Sequence, residues 1–436
     1  MSAMTLRHHR SRTATGRALA LALTTVGLLT PAAQARWTTP SVLVTGDGAG
    51  LLTTTVRSDG TLRAAIDDSS RGIGLGLADL AAAGGFGDPL RVLRAPATVS
   101  GVALAADGSG VALRAGKASR THVPFDAAGS AGAPVAFDGV GSFDAVAASP
   151  AGSVVAVSVR KSLVGFEVVA AFRDPGSGSF GVPVRAGFTA SGDTIVQAGI
   201  GDRGEAVVVW QPNGFPSPVA AAVRLPGAGC SKPTFVTRVG SLVELAVGPG
   251  GQAILAAPGD RRMRVSVKPA GASTMPPVRT VDRAGGGYGV SVAAAGSDRV
   301  AATWDAARTA RAPVQVRVYT GTSRTGVHRA GTLGHDAEES RVGLGARGEL
   351  AVGWGAGLPT LRGDPTARSR FAVTYRRAGG RFEAPQLLGP VVLSATPEAL
   401  EVAPSGHAYA LWEAFESGDS RARPGFRRVY VTRHAP

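Results

Sequence analysis

The chain has one cysteine, little charge and few aromatic side chains, and each shortage narrows what it is. Cys230 is alone among 436 residues, so no internal disulfide can brace the fold and a packed core must hold it. No His or other base lies near it in sequence, which reads as an inert, partly buried thiol. Charged residues make up 18% and aromatics 6%, yet 44% of the chain is hydrophobic, too apolar for disorder. Sixty-one glycines follow no collagen period. No stretch keeps a helical period over several turns; 75–83 is the one short segment that reads as helix. No apolar run reaches the roughly 20 residues that span a bilayer.

What is present begins at the N-terminus. Residues 1–35 hold Arg7, Arg10, Arg12 and Arg17 and no acidic residue, then an apolar run over 18–29, then Pro31 and Ala33-Gln34-Ala35. This is the three-part pattern of a secretory signal cleaved after Ala35. No Cys at the site offers a lipid anchor, and no Arg-Arg pair precedes the run. The expectation is a secreted protein of two parts, a signal at 1–35 and one domain at 36–436, with no transmembrane segment in the mature chain.

The strongest signal is a repeat. An apolar strand, a tight Gly/Pro/Asp turn and a second apolar strand recur as IVQAGIGDRGEAVVVW (195–210), VSVAAAGSDRVAATW (290–304), RVGLGARGELAVGW (341–354) and ALEVAPSGHAYALW (399–412). Versions without Trp occupy 102–114, 145–160 and 243–257, and a weaker one 41–56. Anchored on Gly50, Gly110, Gly152, Gly204, Gly251, Asp298, Gly348 and Gly406, the copies stand 42 to 60 residues apart. Trp210, Trp304, Trp354 and Trp412 each fall six residues after an anchor. A third strand follows with Arg and Tyr (314–321, 370–380, 426–433), then a Gly-rich hairpin and a fourth (174–186, 379–389). Four short antiparallel strands per unit of about 50 residues describe a propeller blade. The second strand has apolar residues on both faces, as a sheet stacked between two others requires.

The fold expected is therefore all-β, a single β-propeller of about eight four-stranded blades, or seven if 41–100 is an irregular cap. The last copy stops at its third strand, and Trp37–Pro40 lies where a missing fourth strand could come from. Pairing the two termini would close the ring and hide a sheet edge. The repeat resembles the signature-poor β-propellers secreted by high-GC Gram-positive bacteria of actinobacterial type, over about 41–433, and its basic residues are nearly all Arg. That resemblance implies architecture and no particular activity. WD40 marks are absent, and Ser58-Asp59-Gly60-Thr61 is an unrepeated fragment of a sialidase-type Asp box.

In such a blade the strand 2–3 and 4–1 connections share one face of the ring. They are also the longer and more varied ones, the usual place for a binding site on a rigid scaffold. Candidates there are Asp305, Arg308, Arg311, Arg362, Asp364, Arg368, Glu413, Glu416, Asp419 and Arg421, with Tyr288 in the Gly-rich 284–289 loop. His335 and Asp336 open His-Asp-Ala-Glu-Glu (335–339), the one cluster with acid/base or metal-ligand chemistry. Zinc would want a second His at helical or hairpin spacing and calcium an Asp-x-Asp-x-Asp-Gly loop. Neither is present, so no metal and no cofactor is expected. The Trp residues read as packing between blades before they read as platforms for sugars.

No nucleophile and base stand together in sequence. The reading is a non-catalytic binding or scaffold protein, monomeric, that engages a glycan, an anionic wall polymer or a protein. The alternative is a carbohydrate-active hydrolase or lyase with carboxylates from different blades, such as Asp336, Asp364 or Glu413. Removing the four N-terminal arginines leaves 42 basic residues against 31 acidic ones. That +11 favours anionic polysaccharide over nucleic acid in an extracellular setting.

Overall fold

The computed structural model describes residues 36–435 apart from 46–48, 69–70, 81–85, 95–98, 116–119, 137–142, 215, 260–261, 284–288, 306–312, 322, 333–338, 358–367 and 417–425. The proposed signal segment lies outside the described residues. Those described form strands and turns arranged in eight antiparallel sheets. These are eight blades in chain order at 49–94, 99–136, 143–189, 194–239, 244–282, 290–332, 340–392 and 394–434, the last completed by Ser41–Thr45. The first strands of successive blades are neighbours, so they line the axis. They are only half-buried, as at Glu244–Val247, whereas second strands such as Ala206–Pro212 are buried almost throughout. The protein is an eight-bladed β-propeller around a channel.

Closure joins the termini. Ser41–Thr45 pairs antiparallel with Phe426–His434 and becomes the fourth strand of blade 8. Trp37 adds an isolated bridge to His434, and the Thr38 N–H donates to the Arg433 carbonyl at 2.8 Å. His434 is fully buried, with Tyr375 stacked on it at 4.3 Å and Trp37 tilted against it at 5.2 Å. The closing strand thus lies a few residues beyond the Trp37–Pro40 expected from sequence.

That corrects the first copy. Residues 41–56 are not one hairpin: 41–45 belongs to blade 8 and Ala49–Val56 opens blade 1. The first repeat turn is Arg57–Thr61, so the Asp-box fragment is simply this hairpin, and its glycine is Gly60 rather than Gly50. In blade 2 the turn glycine is Gly108, and Gly110 already starts the second strand. The segment 75–83, read as helix, is strand over Ile73–Leu80, because Leu75 and Leu77 pack into the core between blades 1 and 2. Tertiary burial overrides a weak local pattern there.

Seven blades use one hairpin. In blade 4 the Gly204 N–H donates to Gly201 O at 3.0 Å and the Gly201 N–H to Glu205 O at 2.7 Å. Such a turn needs a residue at positive φ, and Gly204 takes 81° without the Cβ clash another residue would meet. Blade 6 differs, with Ala295 paired directly to Arg299. The tips also bond around the ring: Ser58 N–H to Ala106 O, Ala106 N–H to Pro150 O, and Asp202 N–H to Pro249 O, at 2.8–3.0 Å. Pro150 has no N–H to give, and there the Asp202 carboxylate takes the Ala151 N–H at 2.9 Å.

The four repeat tryptophans are buried, 3% exposed at Trp210 and 1% at the others. Three donate their indole N–H back to the fourth strand of the preceding blade: Trp210 to Phe188 O, Trp354 to Thr332 O and Trp304 to the Asp282 carboxylate, each at 3.1 Å. The fourth strand makes room with glycine, since a Cβ at Gly187 or Gly331 would overlap the Trp210 or Trp354 ring. Trp412 lies stacked on Phe371 at 4.5 Å and on Tyr430 at 5.4 Å. Packing between blades is what these residues do.

Two outcomes follow from the seam and the lock. Deleting 36–45 exposes the Phe426–His434 edge, so the truncated chain melts well below the intact one and associates with concentration, read by thermal melts and light scattering. Trp354→Ala costs about 3–5 kcal/mol, measured by denaturant titration. Gly331→Val destabilises the same contact from the other side, and the double variant loses less than the sum of the two.

Candidate functional site

The axis-lining strands are where polar residues enter an otherwise apolar inner layer. Register against the second strands places Thr53, Gly101, Ala145, Gln197, Glu244, Ser291, Arg341 and Ala399 at equivalent positions, each opposite the residue before the Trp position. In blade 8 a bulge between Pro397 and Ala399 inserts Glu398 into this layer. Because first strands run away from the 4–1 loops, this layer sits at the end of the channel that opens on the variable-loop face.

One side of that mouth is ionic. Arg341 is half-buried and lies 3.9 Å from the Glu339 carboxylate. Burial raises the pKa of Glu244, with Arg341 opposing the shift and Glu339 adding to it. Burial likewise raises Glu398, helped by the negative Glu413 and opposed by Arg341. Glu413 is raised by burial and held back by Arg427, whose Nε donates to it at 3.0 Å. One layer deeper, Glu401 accepts from the Thr54 hydroxyl at 2.9 Å, between the first strands of blades 8 and 1. Its pKa is pushed up to about 7 by burial. A channel wall explains how a carboxyl can be partly accessible yet enclosed by protein. Five carboxylates and two guanidinium groups here could bind sugar hydroxyls or a cationic group, and Glu401 could exchange a proton near neutral pH.

The sequence candidates distribute unevenly around this site. Asp305 ends the second strand of blade 6 and is a buried residue, 6% exposed, not a solvated loop charge. Desolvation pushes its pKa up to about 6, with the N–H groups of Asp305 itself and Gly289 pulling it back. Glu413 sits inside the second strand of blade 8, 8% exposed and paired with Arg427, also not in a loop. Glu416 ends that strand, and Arg368 is exposed just before the third strand of blade 7. Tyr288, Arg308, Arg311, His335, Asp336, Arg362, Asp364, Asp419 and Arg421 lie outside the described residues. Glu339, the last residue of the His-Asp-Ala-Glu-Glu cluster, reaches the mouth. Glu244, Arg341, Glu398 and Glu401 were missed, although a charged residue four before the hairpin in an apolar strand was a signal available for Glu244 and Arg341.

Loop length is uneven too. The 2–3 connections are two to four residues long in blades 1 to 5, and seven, eleven and nine residues in blades 6, 7 and 8. The connection after Trp210, expected to be long, is only 213–216 because both strands extend into it. Among the described residues no three His, Cys, Asp or Glu converge on a metal-sized site. Cys230 is half-buried, and burial pushes its thiol up to about 11, far from a nucleophile's range. No helix among the described residues is long and apolar enough to cross a membrane.

The Glu401 shift has a sign that can be measured. A carboxyl raised in the folded state favours folding below its unfolded pKa of about 4.3, and that contribution is lost as pH rises through about 7. The melting temperature therefore falls between pH 5 and pH 8. Glu401→Gln flattens that fall in thermal melts taken across the range, and Asp305→Asn flattens it further around pH 6.

No protein-family model matches the chain, and no curated protein matches it. Among solved structures the chain is similar to the Dos1 propeller, with 9% identity, TM-score 0.47, and coverage of 91% of this chain and 95% of that one. It is similar to the WD40 domain of SCAP from fission yeast, at 8% identity and TM-score 0.44 over 78% and 95%. A third is a fungal alcohol oxidase of the AA5 family in complex with copper, at 11% identity and TM-score 0.47 over 92% and 76%. At these identities the likeness is one of fold alone, and none of these proteins' activities passes to this chain.

Proposed function

We propose that this chain is an exported binding or scaffold propeller that engages a glycan, a wall polymer or a protein through the loop face of blades 6, 7 and 8. One observation carries the reading. Long 2–3 connections and the ionic mouth residues Glu339, Arg341, Glu398 and Glu413 fall on the same three-blade sector, while the opposite face repeats one short hairpin in seven blades. Selection for a closed ring alone gives no reason to lengthen loops on one sector of one face. The carboxylates at the mouth disfavour drawing a polyanion into the channel. A neutral glycan suits the mouth, and an anionic polymer suits the outer, Arg-bearing loops.

The test is an array of neutral glycans, anionic wall polymers and acidic polysaccharides, probed with the 36–436 chain at low and physiological salt. Binding that Arg341→Ala and Glu398→Gln weaken at least tenfold supports the mouth as the site. Binding that neither variant changes, or none to any member at low salt, removes this reading. A second reading rests on Glu398 and Glu413, two buried-side carboxyls of raised pKa within electrostatic reach of each other. Such a pair can serve as acid and base in glycoside hydrolysis. Release of reducing ends from an array member, lost in Glu398→Gln, would favour that alternative.

A further inference from the structure

A cleft of about 590 Å³ opens between blades 5 and 6, on the face opposite the variable loops. One wall comes from blade 5, with Val265 on its third strand and Pro276 and Pro277 in its 3–4 connection. The other is Tyr319 on the third strand of blade 6, and Arg279 and Arg324 stand at the rim. The volume is in the range of small-molecule sites. Among the described residues no carboxylate lines it.

Tyr319 is the unusual member. It is 6% exposed, and its hydroxyl proton meets no acceptor among the described residues, its hydrogen-bonding neighbour being the Arg317 guanidinium. Arg317 lies close enough to lower the phenol's pKa against the burial that raises it. A guanidinium only donates, so it can never accept the phenol proton. Tyr319 thus brings to the cleft wall a buried phenol O–H that, with the cationic groups around it, meets no acceptor among the described residues, which is the inverse image of a carboxylate. The rest of the wall is proline and valine. Rigid proline faces pack a flat ring with little loss of side-chain freedom.

We propose that this cleft is a binding site for a small aromatic carboxylate, its ring against Pro276, Pro277 and Val265 and its carboxylate accepting from Tyr319 and the rim arginines. The site is separate from the loop face and independent of what that face binds.

The experiment titrates the 36–436 chain with 2-naphthoate, with neutral 2-naphthamide and with octanoate. Binding is followed by ligand-observed NMR and by the fluorescence of Trp304, which shares a core with Val265 and Tyr319. Saturable binding of 2-naphthoate is expected, with the amide and the alkyl acid at least tenfold weaker. A charge-assisted hydrogen bond makes Tyr319→Phe weaker by about tenfold and Arg324→Glu by more. Arg324 lies on an exposed hairpin, so its variant keeps the wild-type unfolding midpoint and stands as the test if Tyr319→Phe misfolds. Absence of saturable binding, equal binding of the amide, equal binding of octanoate, or folded variants that bind like the wild type would each overturn the proposal.

Discussion

Everything in this fold depends on one pairing between residues nearly the whole chain apart. Ser41–Thr45 lies on Phe426–His434, and without it blade 8 ends in a bare edge and the ring has a gap. A blade cannot stand alone, because its sheet is apolar on both faces and needs a neighbour on each. With one free Cys, the molecule has no covalent substitute for this contact. The entropy of closing so long a loop grows only slowly with its length, so a short strand suffices. Trp37, Thr38 and the buried His434 secure its end.

Once the ring is closed, its two faces are under different constraints. On the hairpin face, tips bond to the next blade, and side chains cap the turn carbonyls: Arg63 that of Gly108, Tyr409 that of Gly60, Tyr375 that of Gly406. Lengthening such a turn breaks contacts in two blades at once. Among the described residues the other face shows no such run of tip-to-tip backbone bonds, so its connections can grow. They do so over blades 6 to 8. The Trp lock beneath them, with glycine in the facing strand, gives those loops a rigid base.

The repeat, the blade, the count of eight and the role of the tryptophans were all legible, because each is a local pattern that recurs. Gly60 shows the limit. Its hairpin was hidden because Ser41–Thr45 mimics a first strand, and only pairing reveals that it belongs to blade 8. With Gly60, Gly108 and Gly296 as turn glycines, the repeat spacing narrows to 44–58 residues. Asp305 and Glu413 were placed in loops because each follows a Trp at what looked like a loop start. The strands continue through them, and burial rather than water surrounds them.

Sequence alone therefore determined the architecture, since turn chemistry, strand alternation and a Trp at a constant offset are near-neighbour properties written into every copy. Tertiary structure decided the site. Glu244, Arg341 and Glu398 come from three different blades and meet only because the first strands converge on an axis. The bulge that turns Glu398 into the channel, and the cleft that leaves Tyr319 without an acceptor, are likewise products of how one sheet packs beside the next. No spacing along the chain encodes that convergence.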